Sequence, residues 1–290
     1  MGSVKPLWAG AVFMAFAMTD FASAMERNGP MVGPYLGQKP PGSEPKVFAP
    51  GSVSAKQRDT NPFFSPDMSE FYFTRKDPKA NKWSLIVFKQ IDGNWQESTV
   101  GPRIWRPLLA PDGKTMHMGK YVMMRTAAGW SKHRILDPMF DREDWGIMRL
   151  TAAADGTYVL DDYKSGDVLR ISSLVNGKRT KPERLGPQIN TGKYNAHPFI
   201  APDGSYLIWD GVRESGYGNS DLYISFRDKQ GRWGEAINLG SKVNTSAREA
   251  SASVTPDGKF LFFNRATKEN DSDIFWVDAK VIEDLRPSNS

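Results

Sequence analysis

Three features of the sequence predict an all-β fold, a five-bladed β-propeller of four-stranded blades. A short motif ending in Asp recurs five times, at intervals of 43 to 54 residues. A β-rich run follows each copy. One orphan strand stands before the first copy, and one strand is missing after the last.

The five motif copies are Asn61-Pro-Phe-Phe-Ser-Pro-Asp67, Arg106-Pro-Leu-Leu-Ala-Pro-Asp112, Arg149-Leu-Thr-Ala-Ala-Ala-Asp155, His197-Pro-Phe-Ile-Ala-Pro-Asp203 and Ser251-Ala-Ser-Val-Thr-Pro-Asp257. In its full form the motif closes on Pro-Asp-Gly. Pro presets φ, Asp bonds the local backbone and Gly accepts positive φ, so the runs on either side form a hairpin. Second strands follow at 71–74, 115–118, 158–160, 206–209 and 260–263, and third strands at 84–88, 121–124, 167–171, 221–225 and 273–277. A fourth comes after a polar turn, as at 93–98 and 231–240. Four short strands in each unit of about 40–50 residues is the pattern of a propeller blade.

The last unit has three strands and then a short predicted helix over 279–285. The orphan strand at 44–50 reads like the fourth strands of other units and can complete the last sheet, which removes an exposed edge. The alternative is a sixth, degenerate blade within the 54-residue interval.

Composition narrows the chemistry. The chain has 290 residues, 39% hydrophobic and 24% charged, enough apolar matter for a core. Without cysteine there is no disulfide, zinc-thiolate site, iron–sulfur cluster or thiol nucleophile. A net charge of +5 is small for this length, and nucleic acid is not an expected partner. Lys5, the apolar run 7–18 and Ala22-Ser23-Ala24 form the pattern of a cleavable signal peptide over 1–24. A short extension over 25–40 and the propeller domain over 41–290 are expected to follow. The leading run is too short to span a bilayer, and no later stretch reaches the roughly 18 apolar residues required. A periplasmic or secreted monomer is expected, with no transmembrane segment.

The repeats resemble the PD40, or WD40-like, units of TolB-type propellers over roughly residues 40–287. The likeness rests on Ser65-Pro-Asp67, Ala110-Pro-Asp-Gly113, Ala201-Pro-Asp-Gly204, Thr255-Pro-Asp-Gly258 and the closing Asp273-Ile-Phe-Trp-Val277. The third unit has Ala154 in place of Pro, and the first lacks the Gly. The resemblance implies a propeller, and such blades serve scaffolds, glycan-active enzymes and peptidase gates alike.

A site is expected where the first strands meet the central channel. Six residues before each motif Asp stand Asn61, Arg106, Arg149, His197 and Ser251. Four of these are large and polar where an interior strand would be apolar. The loops before the first strands add Trp105, Trp145, Tyr194 and Asn195, and the ends of the second strands add Arg75 and Arg265. Aromatic planes beside guanidinium groups suit sugar rings with acidic substituents. The expected function is binding of a ligand or protein partner at the channel mouth, with a cell-envelope glycan or anionic oligosaccharide favoured. An alternative is a glycoside hydrolase using Asp59, Asp210 and Glu249, or a polysaccharide lyase with His197 or Tyr194 as base. A further alternative is an envelope interaction scaffold.

No cofactor and no metal ion are expected. Met116-His117-Met118 has the residues of a copper site, but on a strand the two Met side chains and His117 point to opposite faces. The glycine-bearing segment 211–218 is followed by no helix and is no phosphate loop.

Overall fold

The computed structural model describes residues 31–55, 57–268 and 271–288. The signal-peptide pattern and residues 25–30 lie outside the described residues. The described chain falls in one unit, Met31–Ser290. It is nearly all β, with one short α-helix, Lys280–Glu283, where the helix was expected.

Antiparallel pairing follows the repeat. The first array joins Arg58–Phe64, Glu70–Asp77, Lys82–Ile91 and Asn94–Pro102. The second joins Pro107–Leu109, Thr115–Met118, Tyr121–Thr126 and Arg134–Ile135. The third joins Leu150–Ala152, Tyr158–Asp162, Val168–Ser172 and Glu183–Arg184. The fourth joins Lys193–Ile200, Tyr206–Val212, Asp221–Phe226 and Ile237–Asn238. Glu249–Val254, Phe260–Lys268 and Asp271–Asp278 make the last array. The orphan strand Lys46–Val47 pairs antiparallel with Asp271–Asp278, setting Val47 opposite Phe275.

The motif works locally as its residue types dictate. Gly113, Gly156, Gly204 and Gly258 all take positive φ, between 66° and 85°. In the first unit, which lacks the Gly, Met68 takes φ 60° at that position. Each motif Asp accepts a backbone N–H two residues on, as Asp155 does from Thr157 at 2.8 Å and Asp203 from Ser205 at 3.0 Å. These bonds hold the turn that sets the register of the first two strands.

Alternating apolar residues pack between neighbouring arrays. Ile200, Leu207 and Trp209 bury against Val159, Leu169 and Ala153, and His117 flanks Met116 and Met118, which sit in another cluster. Beside the orphan strand, Phe48 is fully buried with its ring centroid 4.8–5.1 Å from those of Phe71, Phe262 and Trp276. The preceding segment also packs: Tyr35 and Leu36 are buried, Tyr35 edge-on to Phe260 at 4.9 Å. Aromatic pairs of this kind add about 0.5–1.5 kcal/mol each beyond their buried area.

Candidate functional site

Three of the five register positions before the motif Asp residues share a local geometry. Asn61, His197 and Ser251 have φ of 61°, 49° and 56°, and the pairing of their strands shifts register at that point. The bulge frees one backbone N–H, and a side chain from the neighbouring array accepts it. Asp161 Oδ2 takes the His197 N–H at 2.9 Å, Asp210 Oδ1 takes that of Ser251 at 3.0 Å, and Asn264 Oδ1 takes that of Asn61 at 3.4 Å. The polar side chains at the ends of the second strands therefore couple one array to the next.

Arg149 joins several arrays at once. It is fully buried, with Nη1 donating to the carbonyls of His197 and Ala252 at 3.2 and 2.8 Å and Nη2 to Asn61 Oδ1 at 2.7 Å. Asn61 in turn donates to the Pro107 carbonyl at 2.6 Å. Of the expected ligand residues, Asn61 and the two Nη groups of Arg149 thus bond to each other and to the backbone, while Arg149 Nε is buried without a partner among the described residues.

Two expected carboxylates are held by two expected arginines. Asp59 and Arg75 are cross-strand partners, as are Glu249 and Arg265, and each acid stands 16 residues before its arginine. Arg75 Nε donates to Asp59 at 2.8 Å, and Arg265 Nε to Glu249 at 2.7 Å. The same guanidinium groups cap the carbonyls of Val53 and Val243. Burial pushes both carboxyls upward against the opposing pull of these partners. Trp145 is also covered, by Arg142 and Arg170 at 4.8 and 4.4 Å from its ring. Asn195 accepts from Trp209 Nε1 at 3.0 Å and is buried. None of these six residues lines the cavity described next.

That cavity, of about 720 Å³, is lined by Trp105, Arg106, Tyr163, Tyr194, His197, Asp210 and Arg248, among others. Tyr194 is 63% exposed and Trp105 41%. Trp105 and Tyr163 rings lie 6.2 Å apart. A smaller cavity of about 90 Å³ shares Arg106 and Arg248 and adds Arg58. Arg103 stacks at 3.9 Å on the Trp83 ring, which Arg58 approaches from 5.7 Å.

Among the described residues none of Arg58, Arg103, Arg106 and Arg248 forms an ion pair, although Asp271 also lines the smaller cavity. Arg103 Nη1 is buried without a hydrogen-bond partner among the described residues. The Arg106 side chain makes one hydrogen bond among the described residues, from Nη1 to Thr60 Oγ1 at 3.1 Å. Burial, with Arg103 and Arg248 beside it, pushes the Arg106 guanidinium down to about 9, and burial with Arg58 pushes Arg103 to about 10. The four guanidinium groups are crowded and form no ion pair among the described residues, and Asp210 is the acid whose charge acts on Arg106 and Arg248.

His197 and Asp210 stand together in the larger cavity. Nδ1 of His197 lies 2.9 and 3.0 Å from the two Asp210 oxygens. Burial, reinforced by Arg106 and Arg149 and opposed by Asp210, lowers His197 to about 4. Burial opposes the Asp210 charge, but His197, Arg248 and the Ser251 N–H outweigh it, and its pKa falls below the ordinary value. Among the described residues no three His, Asp or Glu side chains come together as a metal site, and no helix is long and apolar enough to cross a membrane.

Sequence reasoning overlooked Arg103 and Tyr163. Each lies outside the repeat register, so counting from the motif Asp could not single them out.

No protein-family model matches the chain, and no curated protein matches it. Among solved structures, the catalytic domain of the Coprinopsis cinerea GH62 α-L-arabinofuranosidase aligns with a TM-score of 0.51 at 11% identity, covering 86% of this chain and 94% of that one. TolB from Acinetobacter baumannii aligns with a TM-score of 0.46 at 13% identity, covering 76% of this chain. The chain spans about half, 54%, of the length of that TolB. At these identities the likeness concerns the fold alone: a β-propeller.

Proposed function

We propose that the protein is an exported five-bladed propeller, its last blade completed by the N-terminal strand, that binds a carboxylate-bearing saccharide at one channel mouth. The observation that carries this reading is the arginine group Arg58, Arg103, Arg106 and Arg248, which has no ion-pair partner among the described residues and of which Arg106 and Arg248 line a cavity of about 720 Å³. A protein of ordinary stability does not crowd four guanidinium groups without return. A bound carboxylate supplies the missing charge and two acceptor oxygens in the geometry a guanidinium matches. Trp105, Tyr163 and Tyr194 line the same cavity and offer flat apolar faces on which a pyranose ring stacks.

The pairing of Lys46–Val47 with Asp271–Asp278 and the four antiparallel strands of each preceding array support the blade count. The signal-peptide pattern over 1–24 supports export.

Isothermal calorimetry with oligogalacturonate, oligoalginate and neutral cello-oligosaccharides tests the function. Binding of an acidic oligomer that weakens with salt and is lost in Arg106→Ala/Arg248→Ala is the expected result. Equal binding of neutral oligomers, or no binding of any acidic one, overturns it.

A further inference from the structure

One side chain in the cavity is equipped for more than attracting an anion. His197 is 98% buried, its relative exposure being 2%, yet it lines the cavity. Asp210 is ionised, so the Nδ1–H of His197 donates to it and Nε2 is left with its lone pair. That Nε2 is buried and has no hydrogen-bond partner among the described residues. Leaving such an acceptor unpaired costs about 1–3 kcal/mol. Imidazole oriented by a buried carboxylate, with the far nitrogen unused, is the arrangement of a general base.

The neighbouring arginines say which proton it takes. Arg106 lines the cavity with His197 and acts on its charge directly. Arg106, Arg248 and His197 line one cavity, so a substrate carboxylate held by the two arginines has its α-carbon, one bond away, on the side of the His197 ring. Bonds further out on the sugar would require a second catalytic group, and Asp59 and Glu249 are both committed to arginines.

We propose that His197 removes the proton α to the carboxylate of a 4-linked uronate, making this protein a β-eliminating polysaccharide lyase. The proposal rests on the acidic-saccharide reading above. His197 Nε2 takes the C5 proton as the C5–H bond breaks. The electron pair delocalises into the carboxylate, whose developing charge Arg106 and Arg248 stabilise. It then returns to form the C4–C5 double bond as the C4–O bond breaks. The departing oxygen takes the proton back from His197, and the imidazole is neutral again. Asp210 holds the ring in the required tautomer and stabilises the transient imidazolium. The arginines that disfavour a charged His197 in the free protein are offset once a carboxylate binds, so the base strengthens as substrate arrives.

Calorimetric binding and turnover are to be measured in parallel on the same oligouronates. The lyase predicts an ultraviolet-absorbing unsaturated uronate at the new non-reducing end, confirmed by mass spectrometry. His197→Gln is expected to bind within a few-fold of wild type and to lose about 10²–10⁴ in rate. Because His197 is buried, a second readout uses the wild-type protein alone: in deuterated water, the C5 proton of a bound oligouronate exchanges and its NMR signal fades. An acidic oligomer that binds through Arg106 yet yields neither unsaturated product nor C5 exchange overturns the lyase and leaves the binding function standing. Absence of all acidic-oligomer binding removes both.

Discussion

The paired arginines, Arg75 and Arg265, and the unpaired ones, Arg58, Arg103, Arg106 and Arg248, differ in what the repeat provides beside them. Arg75 and Arg265 each face a fully buried acid directly across a strand pair and stack near a phenylalanine, Phe73 and Phe263. Their charge is answered inside the blade. The second group gathers from three segments, Arg103 and Arg106 sharing one, and among the described residues its guanidinium groups meet Thr60 Oγ1 and the Trp83 ring. The difference teaches that arginine count at a propeller mouth says little, while the counter-charge of each arginine separates a fastener from a binding group.

Substitution breaks this comparison most strongly at the fasteners. Arg75→Ala leaves Asp59 buried and unpaired, and Arg265→Ala does the same to Glu249; each is expected to destabilise by about 3–5 kcal/mol. Arg106→Ala removes a crowded cation and is expected to leave stability within about 0.5 kcal/mol or to raise it slightly. Urea unfolding of the three variants decides the matter, and similar losses in all three would erase the distinction.

Acid probes the two buried histidines. His117, with both ring nitrogens unpartnered among the described residues, and His197 are each lowered from 6.5 to about 4, chiefly by burial. A group with a depressed folded-state pKa contributes stability above its unfolded value, and that contribution fades as pH falls through 6.5 towards 4. Each histidine then accounts for up to about 3 kcal/mol lost at acid pH. The charges around His197 are Asp210, Arg106 and Arg149, with Asp161 on its backbone N–H; those around His117 are Asp112 and Arg179. Asp161, raised to about 6, acts oppositely as pH falls, so the wild-type slope is a difference. Unfolding curves between pH 7 and 4.5 are expected to flatten in His117→Gln and in His197→Gln relative to wild type. An unchanged slope in both variants contradicts the assignment.

The fold was legible because its signals are local and repeated. Pro-Asp-Gly sets a turn through three residue types, and even the degenerate first copy succeeds because Met68 tolerates φ 60°. The orphan strand was legible by the strand missing at the other end. The site was legible only in part. His197 and Arg106 were found by counting back from the motif Asp, and Asp210 by its place on the second strand. Arg149 occupied the same register but reaches across several arrays, a matter of side-chain length against channel radius that spacing does not contain. The fasteners were visible as a 16-residue offset shared by Asp59–Arg75 and Glu249–Arg265, though that offset marks them only once the strands are known to pair.

Affinity gives a sharper test on the unpaired side. Arg248→Ala is expected to weaken an acidic oligosaccharide at least tenfold, about 1.4 kcal/mol, with the melting temperature unchanged. The salt dependence of binding should fall with it, since one fewer cation meets the anion. Arg58→Ala, at the edge of the smaller cavity, should follow the same direction with a smaller loss. An affinity loss matched by a stability loss would place Arg248 among the fasteners instead.

The smallest effect separates charge from stacking. Tyr194 is the most exposed of the cavity's aromatic residues and takes φ 55°, which a non-glycine residue adopts at some cost. Its ring buries little against the protein, so Tyr194→Ala is expected to leave stability unchanged. A sugar ring stacked on it would lose about 0.5–1.5 kcal/mol, a few-fold in affinity. Unlike the loss at Arg248, this one should persist at high salt, because stacking is not screened as charge pairs are. Calorimetry of both variants at low and high salt distinguishes the two contributions. If the Tyr194 loss vanished with salt, the aromatic face would be steering the anion rather than receiving the ring, and the ligand's sugar character would lose its support.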